Sequence, residues 1–167
     1  MGELGKRDSI PSELEHPLFH ELIRRNLPIQ ANDNQEGLFT HEILYFQQMT
    51  DGGPWAVAED SVPPLLKEWE ALKVDISSLF NTRNKEEILI LMKKGIGLFL
   101  QLLYWSNGRP VVLAGLPDVS ELSLQPINCQ ERLGFLLKRP DGFHSFIQLG
   151  ELIEEQKKRF NTSIAKI

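Results

Sequence analysis

The sequence predicts an all-α fold: a compact bundle of about five or six helices around one central apolar helix, with a long packed Pro-rich loop before the last two helices. Three observations carry this. The apolar residues of Ile88–Trp105 cover well over half the circumference of a single long helix, so that helix has to be wrapped on most sides. Flanking segments repeat apolar residues at spacings of three and four, as in Leu65, Trp69, Leu72, Ile76 and Phe80. Breaks such as Asp51-Gly52-Gly53-Pro54, Asn107-Gly108 and Pro140-Asp141-Gly142 fall between the periodic segments.

Residues 1–11 read as a flexible leader, 12–162 as one helical domain and 163–167 as a frayed tail. A first helix starts near His16 or Pro17 and runs to Arg25, where a proline in the first turn sacrifices no hydrogen bond. The polar run ANDNQEG that follows is the best candidate for a mobile loop. A short second helix spans Thr40–Met49 through Ile43, Leu44 and Phe46. A third opens with Ser61 as its cap and Pro63-Pro64 in its first turn, leaving Val74 off its apolar seam.

Asn84 followed by Glu87 forms a capping box and opens the central helix, which runs to about Ser106 and is roughly 35 Å long. Only a narrow polar strip remains on it for Lys93, Lys94, Gln101 and Tyr104. Gly95 lies inside the apolar arc, where a missing side chain admits a neighbouring helix. Asn107-Gly108 and Pro110 end the helix. Residues 109–128 show no helical period and are expected to pack as extended chain, with a short strand considered near Val111–Leu113. Asn128 with Glu131 is a second capping box, opening a short helix with Cys129, Leu133, Leu136 and Leu137 on one face. The last helix covers Phe143–Phe160, with Phe143, Phe146, Ile147, Gly150 and Ile153 on one side.

Composition bounds the function. The chain has 167 residues, 41% hydrophobic, with a net charge of -5. Residues 1–83 carry 7 basic and 14 acidic side chains, and residues 84–167 carry 11 and 9, so the charge sits mostly in the first half. This balance does not suggest a nucleic-acid partner. A single cysteine argues against a disulfide framework. The start MGELGKRDSIP has no apolar run of a secretory signal, and Lys93-Lys94 interrupt the longest apolar stretch, so no membrane span and a cytoplasmic protein are expected.

No catalytic constellation stands out. The first candidate site is the elbow Trp105–Pro110, where Tyr104 and Trp105 precede a turn and Arg109 follows it. Arginine binds carboxylate or phosphate in bidentate fashion, and Trp and Arg favour interface hot spots. The plainer reading makes Trp105 core, Asn107-Gly108 a cap and Arg109 solvated. Trp55, in an irregular acidic stretch, is a second interface anchor, or else a plug beneath the third helix. His16 and His20 share a metal-compatible spacing, but Pro17 stands where the zinc-protease motif needs Glu and no third ligand is indicated. No metal or cofactor is therefore expected. Cys129, in a first helical turn, could be an activated thiol, but it also begins an apolar stripe and reads better as inert and buried. Arg132, Lys138, Arg139 and Lys157–Arg159 would have to cluster to meet phosphates.

The stretch KKGIGLFLQLLYWSNGRPV (Lys93–Val111) resembles the corresponding part of the YpoC-like family, small cytoplasmic proteins of Gram-positive bacteria. PSELEHPLFHE (Pro11–Glu21), the WEAL segment (Trp69–Leu72) and PINCQERLGFLLKRP (Pro126–Pro140) are similar in kind. The resemblance implies a bacterial cytoplasmic protein and transfers no catalytic residue, substrate or cofactor.

The leading expectation is a non-enzymatic binding or adaptor protein acting through protein contacts, with an exposed aromatic patch at Trp55 or at Trp105–Arg109. A homo-oligomer is compatible with it. A DNA- or RNA-associated accessory protein is the alternative. A small-ligand binder or an enzyme with a dispersed site, built around a polar cavity holding Tyr104, Arg109, Glu131 or Arg132, is the third.

Overall fold

A computed structural model of the chain describes residues 7–29 and 37–166. It contains α1 (His20–Arg25), α2 (Thr40–Phe46), α3 (Ala58–Thr82), α4 (Lys85–Trp105), α5 (Cys129–Lys138) and α6 (Phe143–Ala165), with 3-10 turns at Ser12–Leu14 and Pro54–Val57. No strand occurs among the described residues, Val111–Leu113 included. All but the last residue of the loop expectation over ANDNQEG, and part of the leader expectation, fall outside the described residues. From Arg7 onward the leader is tied down. Arg7 Nη2 donates to Ile29 O at 2.8 Å, and Gln47 Nε2 donates to Arg7 O and Ser9 O.

α4 is the strut. It packs against α3, α6 and the Pro54–Val57 turn. By length and composition α4 could cross a membrane, yet 72% of its most apolar window is buried among the other elements. Every residue from 95 to 105 is buried. The expected polar strip therefore exists only at the N-terminal end, around Lys93 and Lys94. Tyr104 lies inside because the chain beyond α4 folds back over it, and Gln101 because its side faces α2, α3 and the 37–38 segment. Gly95 sits at the crossing with α3 and α6. A Cβ there would stand 2.9 Å from Leu149 Cδ2 and 3.1 Å from the Trp69 ring.

Local chemistry explains the helix ends. α3 stops at Arg83, in the left-handed region at φ 57, whose N–H bonds Leu79 O. The Asn84 side chain then accepts from Glu87 N–H at 3.2 Å and starts α4, as expected. α4 ends in a Schellman motif. Gly108, at φ +72, donates its N–H to Trp105 O, and Arg109 donates to Tyr104 O.

Three expectations are corrected. Ser61 does not cap α3. That helix begins at Ala58 by continuing the Pro54–Val57 turn, which puts Pro63 and Pro64 in its second turn. The carbonyls left without helical donors belong to Glu59 and Asp60, both exposed, so water can serve them. Asn128 makes no side-chain cap to α5. It adopts a left-handed φ of 55, which asparagine tolerates, and other residues hold the helix start. The buried stripe of α6 runs through Phe146, Leu149, Ile153, Gln156 and Phe160, so Phe143 and Ile147 face solvent. The helix also continues past Phe160 to Ala165.

The 109–128 segment packs as irregular chain, and side-chain bonds replace secondary structure. Asn107 donates to Leu124 O and accepts from Leu124 N–H, at 2.8 and 2.9 Å. Gln125 Nε2 donates to Val119 O and Leu122 O. Leu113 and Ala114 N–H both reach Glu13 O. These bonds satisfy backbone groups that burial of Val111, Leu113, Val119 and Leu122 would otherwise strand.

Candidate functional site

The elbow is built around a carboxylate. Glu42, on α2, is wholly inaccessible. Its Oε2 accepts from the Trp105 indole N–H at 2.7 Å and from Val111 N–H at 3.2 Å, while Oε1 has no partner. Burial raises its pKa above the usual carboxylate range, and the two donated hydrogen bonds pull the other way. Glu42 thus ties α2 to the end of α4 and to the start of the irregular segment. Trp105 is only 5% exposed. Its ring stands 6.1 Å from His41 and 6.4 Å from Trp55, which packs edge-on to Tyr45 at 5.2 Å. Trp55 folds back over Gly53, where a Cβ would meet the indole at 2.5 Å.

The expected exposed aromatic patch is therefore corrected. Trp55, Tyr104 and Trp105 are core, because each polar tip finds a partner inside or each ring fills a gap. Tyr104 Oη donates to Val112 O at 3.1 Å, and burial pushes its pKa up to about 12. Arg109 stands exposed in an ion pair with Glu121 at 3.2 Å, apart from the buried rings. Arg132 lies elsewhere and is fully engaged. Its Nη1 donates to Ile127 O and to Glu155 Oε2, both at 2.8 Å, and Gln148 accepts from its remaining nitrogens when the amide oxygen faces inward. Glu155 Oε1 in turn accepts from Ile127 N–H, so this pair, rather than Asn128, fixes the start of α5. Cys129 is buried and its thiol is pushed up to about 12 by desolvation, which leaves it unreactive. His16 Nδ1 accepts from Leu18 N–H, and His20 faces Glu15 at 3.7 Å.

Two of the concave features are large enough to seat a ligand or a partner segment. The first is a cavity of 760 Å³ beside the elbow. Several helices contribute to its lining. α4 presents Lys94, Leu98, Gln101 and Trp105 on one stripe, α3 presents Leu65 and Glu68, and α2 presents His41. Burial lowers the His41 pKa, so the ring is neutral at pH 7. Sequence reading counted Trp105 here and missed Gln101 and Glu42. Glu42 did leave a signal, being a carboxylate on the stripe it shares with Phe39 and Phe46.

The second is an open groove of 1020 Å³ between α4, α5 and the 16–18 and 116–117 segments. Its floor is apolar, formed by Leu18, Leu89, Leu116, Pro117, Phe135 and Leu137. Pro117 rests on Gly134, 3.5 Å from where a Cβ would stand. Phe135 is 43% exposed. Lys93 and Lys138 stand at the rim with Glu131.

The described residues form a helical bundle with a filled aromatic centre, a polar cavity and an apolar groove, which defines a class of all-α domains. Residues 59–166 match the model of the family described as YpoC-like protein. The chain is also 33% identical over 146 residues to the "Uncharacterized protein YpoC" of Bacillus subtilis (strain 168), covering 84% of this chain and 89% of that protein. The chain belongs to the YpoC-like family. No solved structure matches it.

Proposed function

We propose that this protein is a non-enzymatic binding protein that engages another protein through the groove between α4 and α5. The carrying observation is Phe135, a large aromatic side chain left 43% exposed over an apolar floor. An aromatic at the centre of a concave apolar surface is the usual form of an interface hot spot. Two ammonium groups against one carboxylate at the rim favour an apolar segment bearing acidic side chains. This moves the binding surface away from the elbow, where Trp55 and Trp105 are occupied in the core. It keeps the protein in the cytoplasm, where such a segment would be met. The nucleic-acid alternative loses Arg132, whose donors are spent on Glu155, Ile127 and Gln148.

Photo-crosslinking in cells tests the reading. A benzophenone amino acid placed at Phe135 is expected to give one discrete adduct with another protein. The same group at Val74, an apolar residue still more exposed on α3, is expected to give none. Adducts common to both positions, or none at Phe135, would overturn it. A self-adduct would replace the partner with a second copy of this chain.

A further inference from the structure

We propose that the cavity beside the elbow binds a free α-amino acid whose side chain ends in a hydrogen-bonding group. This site is separate from the groove. The observation that points to a ligand is Gln101. It lines the cavity, is 7% exposed, and its amide makes no hydrogen bond to any described residue. The residue is otherwise enclosed, so the surface its amide keeps opens on the cavity, where a polar ligand group can take the place of water. The amide both donates and accepts, and it suits another amide, a guanidinium or a carboxylic group.

The opposite end of the cavity specifies the rest of the ligand. Lys94 and Glu68 both line it, and neither is in an ion pair among the described residues. Two unpaired opposite charges facing one space match the ammonium and carboxylate carried together on an amino-acid head group. Lys94 and Gln101 are seven residues apart on α4, a rise of roughly 10 Å, which an amino-acid side chain and the reach of Gln101 bridge together. Between these ends Leu65 and Leu98 offer an apolar wall to a methylene stem. The Trp105 indole N–H is committed to Glu42, so the ring adds only surface there, beside a neutral His41.

The test follows the indole N–H signals of the full chain by NMR. Trp105 is assigned with Trp105→Phe, and L-glutamine is titrated first, then the other proteinogenic amino acids. L-glutamine is expected to shift the Trp105 signal saturably and to leave that of Trp69 unmoved. N-acetyl-L-glutamine lacks the ammonium and is expected to bind at least about tenfold more weakly. Glu68→Gln and Lys94→Ala, both at exposed positions, are each expected to weaken binding about tenfold without changing the melting temperature. Gln101→Met removes an unpartnered amide at nearly constant volume, so it should leave the fold intact and abolish the preference for L-glutamine over L-leucine. A Trp105 signal that no amino acid moves at about 10 mM overturns the proposal. So does a shift that survives Lys94→Ala and Glu68→Gln, or equal binding of L-leucine by the unsubstituted protein.

Discussion

Glu42 shows how one side chain can look ordinary in a sequence and be decisive in a fold. Its Oε2 holds both the Trp105 indole and Val111 N–H. Glu42→Ala would strand two buried donors at about 1–3 kcal/mol each, and urea denaturation should show a loss of that order. Glu42→Gln keeps an acceptor and should lose much less. The two proteins should also differ in pH response. The folded state raises the Glu42 pKa, so it retains a proton that the unfolded chain releases above its ordinary value of 4.5. The folded state then binds more protons than the unfolded one, and this contribution to stability falls as pH rises from 4.5 toward the raised folded value. Stability of the native protein minus that of Glu42→Gln should therefore decline over that window, and a difference independent of pH would contradict the assignment. Sequence reading found Trp105 but could not place its partner, because Glu42 lies 63 residues away and the pairing belongs to tertiary structure.

At the scale of single helices, the sequence was most legible where the chemistry is local. The Asn84 cap and the Gly108 stop each depend on a few neighbouring residues, and each stands as expected; the close approach at Gly95 is made by Trp69 and Leu149 from other helices, and was signalled by a glycine inside an apolar arc. The start of α5 was misread because Arg132 and Glu155 hold it across 23 residues, outranking a cap written beside it. The face of α6 was misread because its partners rotate the buried stripe away from Phe143 and Ile147. The two glycines of α4 give a comparative test. At Gly95 a Cβ meets Leu149 and the Trp69 ring, both fixed in the core, so Gly95→Ala should destabilise by about 1–3 kcal/mol despite better helix propensity. At Gly97 the obstacle is the half-buried Leu38 side chain, which can swing outward. Gly97→Ala should therefore be close to neutral, and thermal melts of the two variants would order them.

Across the whole molecule, the apolar strut predicted from Ile88–Trp105 organises the rest. Burying residues 95–105 on all sides consumes the aromatic residues that looked most like an interface. That consumption could not be read from the sequence, since tryptophan suits a core and a hot spot equally well. One concave, largely apolar surface that remains is the groove around Phe135, whose walls come from segments far apart in the chain. The most direct test of the account is the affinity of the partner crosslinked at Phe135, measured against Phe135→Ser and Arg109→Ala with melting temperatures taken alongside. The account predicts that Phe135→Ser loses at least about tenfold in affinity while Arg109→Ala binds at full strength, both proteins remaining folded. Full binding by folded Phe135→Ser together with loss in Arg109→Ala would contradict it and return the site to the elbow.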